Sequence, residues 1–250
     1  MRTELHPAGV EIVTVSLEVS GSDASRPYIE AAAPDHPSLL DPTHRVGELL
    51  GVVNIPSVVW IDEDGVIVRP PEAGWPDAEQ RMPTDIFTEV PKMGRALNAP
   101  PRPERGVGQR AAVTTGQDRP SYVDAIRDWA EHGRASRFAL EPHEVVERSK
   151  PRPYEASQAA AHFDLGQHLW RAGRRDAAIG HFKAAHALQP DNWTYKRQAW
   201  SLVGNERVGG RFGRWMQGPL LGEEADWPFD SDFRSDVAAL GEGEYYPRTM

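Results

Sequence analysis

The sequence predicts an α/β fold, with a sheet in the first hundred residues and an α-helical region after it. A short apolar run at residues 58–61 lies between Pro56 and an Asp-Glu-Asp-Gly turn, the pattern of a buried strand that opens a hairpin. Strand-like and helix-like segments alternate before this run. Further on, residues 156–202 have the apolar spacing of packed helices.

The segments before the hairpin are predicted, in chain order, as strand, helix, strand and helix. Residues 10–17 are rich in Ile and Val, which predicts a central parallel strand. A helix is predicted over residues 22–33, where Ser22 or Asp23 can act as the cap. Residues 39–40 predict a short strand, and residues 44–50 predict a helix that ends before a glycine.

The hairpin is predicted from its turn and from the proline before it. Gly65 can adopt positive φ without steric cost, so residues 62–65 form the turn and residues 66–68 begin the second strand. Pro56 has no backbone N–H, so it belongs at the first position of the first strand or at a sheet edge. Residues 70–76, which contain three prolines, are predicted as a loop.

The remainder of the chain is predicted to be mainly helical. Residues 84–97 predict a helix that completes a first domain over residues 1–97, and a proline- and glycine-rich stretch at residues 98–120 predicts a linker. Helices are expected at residues 121–132 and 142–150, within a helical region that spans residues 121–205. Residues 206–250 predict an irregular C-terminal tail.

Composition limits the classes of partner and chemistry. The net charge of −9 does not favour nucleic acid or an anionic membrane surface as a partner. No apolar run approaches the ~20 residues that cross a bilayer, and no signal peptide is visible, so we expect these 250 residues to be cytoplasmic and without a membrane segment. An N-terminus that lies upstream would leave the compartment open. The 250 residues contain no cysteine, which excludes disulfides and thiolate metal sites within them.

The histidines do not predict a metal site. His143 precedes Glu147 but the motif lacks its second histidine, and the pairs at 162/168 and 181/186 do not share a helix face well. Residues 106–108 lack the third glycine of a dinucleotide-binding loop. We therefore expect neither a metal nor a cofactor, and no catalytic residue is assigned.

Several segments together resemble the thioredoxin-like family. They are residues 10–17, 38–43, 46–51, 55–57 and 58–65, and the resemblance covers residues 1–90. The nearer branch contains cytochrome-maturation thiol-disulfide oxidoreductases and the alkyl hydroperoxide reductase/thiol-specific antioxidant proteins. The resemblance implies a cis Pro56 that faces the redox centre and an Ile55 that hydrogen-bonds the substrate peptide. Ile55 and Pro56 are thus the candidate substrate-binding residues.

One departure from that family decides the chemistry. The family's reactive group is a cysteine at the start of its first helix, and the thiolate is the nucleophile. Residues 1–9 resemble the last turns of that helix, so we expect a sheet that lacks its N-terminal strand and its cysteine motif. The expected explanations are a start codon upstream or a recoded selenocysteine codon. The resemblance thus predicts a thiol-disulfide oxidoreductase or peroxiredoxin-type antioxidant. Without the cysteine segment, residues 1–250 are expected to be redox-inactive.

The alternative function is a non-catalytic protein–protein interaction module. Residues 157–190 resemble one tetratricopeptide repeat, a helix-turn-helix unit of about 34 residues. The matching residues are Leu165, Gly166, Leu169, Gly173, Ala178, Phe182, Ala185 and Pro190. The small Gly166 and Ala178 permit close helix approach, and Leu165, Leu169, Phe182 and Ala185 are expected to fill the seam. The hairpin is either an accessory element without a ligand or a peptide-binding groove. A protein or peptide partner is expected there or at the Pro56 loop.

Overall fold

The computed structural model describes residues 2–74, 122–208, 217–220, 222–240 and 245. Within these ranges the protein is a mixed α/β structure with small sheets and many helices. The predicted helix at residues 84–97 and the predicted linker at residues 98–120 lie outside the described residues.

The N-terminal part alternates helices and strands in the predicted order. Helix α1 (Arg2–Leu5) precedes strand β1 (Thr14–Ser16), helix α2 (Ser22–Ala32), strand β2 (Ser38–Leu40) and helix α3 (Arg45–Leu50). Strand β1 pairs with β2 in parallel, and Val15 lies opposite Leu39. The strand predicted at residues 10–17 is three residues long, because only Thr14–Ser16 has a partner among the described residues.

The predicted hairpin is confirmed. Strand β3 (Ser57–Ile61) pairs antiparallel with strand β4 (Ile67–Ala73), and Gly65 in the turn has φ of +78°. The prediction of a loop from residue 70 was wrong, since β4 continues through Pro70 and Pro71 to Ala73. A proline is tolerated in a strand that lies at a sheet edge, where its missing N–H breaks no ladder.

A first apolar cluster joins the β3–β4 hairpin to the next helix, α4 (Tyr122–His132). Trp60 of β3 is 3% exposed, stacks on Trp129 at 5.0 Å between ring centroids, and donates its indole N–H to the Tyr122 hydroxyl at 2.8 Å. Ile12, which leads into β1, packs on the same cluster. Trp60 is thus a core residue, as expected from its place in the apolar run.

The helical region continues from α5 (Pro142–Ser149) to α6 (Tyr154–Arg171), α7 (Arg175–Leu188) and α8 (Trp193–Val208). Helices α6 and α7 form a hairpin whose turn contains Gly173 at φ of +75°. Phe182 and Ala185 are fully buried in the hairpin. The expectation that Leu165 fills the seam was wrong: its residue is 42% exposed, because it lies on the outer face of α6.

The C-terminal part is less irregular than expected. Helix α8 extends to Val208, and a further helix, α9 (Phe233–Ala239), begins at Asp232. The Asp232 carboxylate accepts backbone N–H groups of Arg234 and Ser235 and so caps α9. The cap is a single aspartate among aromatic residues and glycines, so the sequence pattern alone did not predict that a helix begins there.

The N-terminal and helical parts pack against each other. Val19, shortly after β1, belongs to the apolar cluster of the helical region, and its N–H donates to the side chain of Gln198 on α8 at 3.3 Å. Arg152 reaches Glu48 of α3 at 2.8 Å. Thr194, at the start of α8, donates its N–H to the carbonyl of Val53 at 3.2 Å, which places the loop that holds Ile55 and Pro56 beside α8.

Candidate functional site

The two predicted site residues lie together in the loop between α3 and β3, residues 52–56, which we call the Pro56 loop. Gly51 ends α3 with φ of +78°, and Val52 donates its N–H to the carbonyl of Gly47 at 2.8 Å. The Ile55–Pro56 peptide bond is cis, and both residues are half-buried. Pro56 immediately precedes the first residue of β3, the position expected from its missing N–H.

Asn54 organises this loop. Its side-chain oxygen accepts the N–H of Ile55 at 2.9 Å, and its amide nitrogen donates to the backbone carbonyl of Tyr245 at 2.7 Å. One side chain therefore links the Ile55 backbone to the C-terminal segment. The sequence carried a signal for the first bond, since Asn side chains often bond nearby backbone in turns. It carried none for the second, which joins residues 191 positions apart.

An aromatic wall stands beside the Pro56 loop. The Tyr245 ring meets Trp193 edge-on at 4.7 Å and Phe233 at 5.7 Å between centroids. Arg197 of α8 lies 3.2 Å from the Tyr245 hydroxyl and donates to it, and Thr194 donates its N–H to the carbonyl of Val53. The loop thus rests on the start of α8 and on Tyr245, which cover one of its sides.

His44 is a buried histidine at the start of α3. It is 2% exposed, has φ of +59°, and meets Phe163 edge-on at 5.1 Å between centroids. Burial lowers the pKa of His44 to about 4, an effect that Asp41 and the Leu17 backbone offset only in part. The imidazole is neutral at pH 7 and joins the N-terminal part to α6. It is an apolar contact here rather than an exposed acid or base.

A second pair of histidines meets across the helical hairpin. His162 of α6 and His181 of α7 approach to 2.8 Å between their Nδ1 atoms. Spacing within either helix did not predict this pair, because the contact depends on how the two helices align. Among the residues that the structure describes, no three His, Asp or Glu side chains gather in a way that would hold a metal ion.

The Pro56 loop contains no acid, base or nucleophile of its own. The Asn54 amide is used at both ends within the protein, and the 250 residues contain no cysteine that could act as a nucleophile. In the described part of the chain, no helix combines the length and apolar character required to cross a membrane. Comparisons with protein-family models, with curated proteins and with solved structures found no match to this chain.

Proposed function

We propose that this chain is the scaffold and substrate-recognition part of a thioredoxin-like redox protein, of the thiol-disulfide oxidoreductase or peroxiredoxin type. In this proposal Ile55 and Pro56 contact the substrate peptide. The reactive sulfur or selenium is carried by a strand and helix from outside residues 1–250. Residues 1–250 alone bind the substrate peptide but perform no thiol redox chemistry.

The open edge of β1 is the observation that carries the proposal. Thr14 donates its N–H to the carbonyl of Pro37 at 3.0 Å, and Asp41 donates to the carbonyl of Ser16 at 2.8 Å. Residues 14 and 16 therefore point their backbone groups at β2. Because successive residues of a strand alternate in this respect, the N–H and C=O of Val15 point to the opposite edge. No strand of the described residues pairs with that edge.

Strand β3 supports the same interpretation. Its only partner among the described strands is β4, so it too has an edge without a ladder. Ile12, two residues before β1, and Val58 of β3 pack on one apolar cluster, so the segment that leads into β1 lies near β3. A single added strand, paired with β1 on one side and β3 on the other, would join them into one sheet, as the family resemblance implies.

An uncovered apolar face accompanies the open edge. Val15 and Leu39 lie opposite each other and hence on one face of the β1–β2 sheet, and Val13 shares that face because it is two residues from Val15. Their residues are 50%, 36% and 53% exposed for Val13, Val15 and Leu39. A soluble sheet normally buries such a face.

The test begins with the DNA. In-frame translation upstream of Met1 is expected to give a strand followed by Cys-x-x-Cys, a single Cys, or an in-frame UGA codon. The chain extended by those residues is expected to reduce a disulfide substrate or a hydroperoxide, whereas residues 1–250 are inert. An unrelated upstream sequence, or ordinary stop codons at this place, contradicts the proposal.

The absence of cysteine from all 250 residues favours a second candidate, a non-catalytic interaction module. In that case the Pro56 loop or the α6–α7 hairpin holds a protein or peptide partner without chemistry. A peptide that binds residues 1–250 saturably, together with an upstream frame that encodes no cysteine or selenocysteine, selects this function. Disulfide reduction by the extended chain rejects it.

A further inference from the structure

Tyr245 is held in a pocket at one side of the Pro56 loop. Its ring meets the ring of Trp193 edge-on at 4.7 Å and the ring of Phe233 edge-on at 5.7 Å between centroids. Trp193 begins α8 and Phe233 begins α9, and these two rings also meet edge-on, at 6.2 Å. Edge-on aromatic pairs at such distances attract each other beyond the effect of the area that they bury. We call Asn54, Trp193, Arg197 and Phe233 together the Tyr245 pocket.

The pocket binds the backbone and the side chain of Tyr245 with separate polar groups. The Asn54 amide nitrogen donates to the backbone carbonyl of Tyr245 at 2.7 Å, and the Arg197 guanidinium donates to the Tyr245 hydroxyl at 3.2 Å. Many peptide-binding sites divide recognition in this way, because hydrogen bonds to the main chain supply affinity and a side-chain pocket supplies specificity. The pocket thus has both components of a peptide site, and its side-chain component fits a tyrosine.

The walls of the pocket are held by contacts that do not involve Tyr245. Arg197 donates to the side chain of Gln217 at 3.2 Å, and its guanidinium lies 5.5 Å from the centroid of the Phe233 ring. Asn54 accepts a backbone N–H of its own loop at 2.9 Å, which fixes the direction of its amide. The pocket is therefore expected to keep its shape when Tyr245 leaves, and a preformed site binds a ligand at a lower entropic cost.

The position of Tyr245 in the chain makes it a competitor of any peptide that uses the pocket. The residue is half-buried rather than enclosed, and it follows the end of α9 at Ala239 by a short stretch of chain. A short tether gives Tyr245 an effective concentration on the order of mM at the pocket, so it occupies the pocket without a high intrinsic affinity. A free peptide with the same tyrosine must compete with that concentration.

We propose that the Tyr245 pocket is a binding site for a tyrosine-containing peptide of a partner protein, and that Tyr245 is its internal competitor. The tyrosine of the partner replaces the Tyr245 ring between Trp193 and Phe233, and its backbone carbonyl accepts from the Asn54 amide. The inference rests on the proposed function in one respect, that the Pro56 loop recognises peptides. It adds the side chain that the peptide carries and, because Asn54 belongs to this loop, an occupant that regulates access to it.

The binding test uses isothermal titration calorimetry with a synthetic peptide of residues 241–250, in which Tyr246→Ser leaves Tyr245 as the only aromatic residue. The peptide is titrated into the full chain and into its Tyr245→Ala variant, which lacks the internal competitor. The variant is expected to bind the peptide saturably with a Kd of about 0.1 mM or below. The parent is expected to bind it at least ~10-fold more weakly, because its own Tyr245 occupies the pocket. Tyr154→Ala removes an exposed tyrosine outside the pocket and is the matched control, which should bind as weakly as the parent.

Arg197 separates recognition of the tyrosine from a general effect on the pocket. In the Tyr245→Ala chain, Arg197→Met keeps the length of the side chain without its donors, and it is expected to weaken binding of the tyrosine peptide about 5-fold. A peptide with phenylalanine in place of the tyrosine has no hydroxyl to accept from Arg197. Its affinity should be about 5-fold lower from the start and should not change further with Arg197→Met. A distorted pocket would instead weaken both peptides equally.

Three results would overturn the proposal. They are the absence of saturable binding to the Tyr245→Ala chain, equal affinity of that chain and the parent for the peptide, and an equal loss of both peptides on Arg197→Met. Thermal melts show that each variant is folded. Tyr245→Phe keeps the ring in place and repeats the competition without a gap in the pocket, and this chain should bind the peptide about 3-fold more tightly than the parent does. None of these measurements involves thiol chemistry, so their failure is distinct from a failure of the upstream test of the proposed function.

Discussion

At the scale of single residues, two buried histidines make the stability of the fold depend on pH. Burial lowers the pKa of His44 to about 4, and burial together with nearby Lys196 lowers the pKa of His186 to about 4. His186 lies between Phe229 and Trp200 in the helical core. Both imidazoles are neutral in the folded chain, and unfolding returns each to its ordinary pKa near 6.5.

The free energy of unfolding is therefore expected to fall as the pH drops from about 6.5 to about 4. In this window the unfolded chain binds protons that the folded chain does not, so stability rises with pH. Each histidine contributes on the order of 3 kcal/mol, fully present above about pH 6.5 and lost by about pH 4. Urea unfolding at pH values between 4 and 7.5 measures how steeply the free energy of unfolding depends on pH.

His44→Asn isolates one of these contributions. Asparagine tolerates the left-handed backbone at this position and does not titrate. The free energy of unfolding of the variant should therefore depend less steeply on pH, because unfolding takes up about one proton fewer. His143→Asn replaces an exposed histidine and is the matched control for the substitution. Equal slopes for the two variants would show that His44 is not buried as a neutral imidazole.

At the scale of elements, the contact between α6 and α7 depends on one glycine. A Cβ at Gly166 would lie 2.7 Å from two ring carbons of Phe182, which is itself fully buried. The sequence predicted this close approach from the small residues of the hairpin. The exposure of Leu165 was not predictable in the same way, because one position along a helix changes the face by ~100°.

Gly166→Ala is expected to destabilise the chain by about 1–3 kcal/mol, because overpacking outweighs the ~1 kcal/mol that alanine gains in helix propensity. Gly180→Ala in α7 is the control, since no atom lies within 4 Å of its added Cβ. That variant should be stabilised by up to ~1 kcal/mol. Denaturant midpoints compare the two, and a Gly166→Ala variant as stable as the control would contradict the packing described here.

The elements also show where sequence reasoning reaches its limit. The helices, the hairpin and the position of Pro56 were predictable, because they depend on local periodicity, turn chemistry and the missing proline N–H. The His162–His181 pair and the bond from Asn54 to Tyr245 were not. Each depends on the tertiary alignment of segments that are distant in the chain.

At the scale of the whole molecule, the N-terminal part has two small sheets, each with an edge that no described strand pairs. Helix α8 and the helical core support it from one side through Val19 and Val53. The apolar face at Val13, Val15 and Leu39 remains exposed. An exposed edge and an exposed face are both sources of instability and association.

Residues 1–250 are accordingly expected to unfold at low temperature and to associate at high concentration. The chain extended upstream should melt at a higher temperature and stay monodisperse, because the added strand pairs with the open edges of β1 and β3. Circular dichroism melts and light scattering of the two chains make the comparison. A cooperative, high-temperature melt of residues 1–250 alone would contradict the expectation.

Amide hydrogen exchange at Val15 tests the central claim most directly, with Thr14 as its internal reference. Thr14 bonds to Pro37 and should exchange slowly in either chain, whereas Val15 faces the open edge. The account predicts fast exchange of Val15 in residues 1–250 and at least ~100-fold slower exchange in the extended chain. Slow exchange of Val15 in residues 1–250 alone would show that this edge is already paired, and that no strand is needed to complete the sheet.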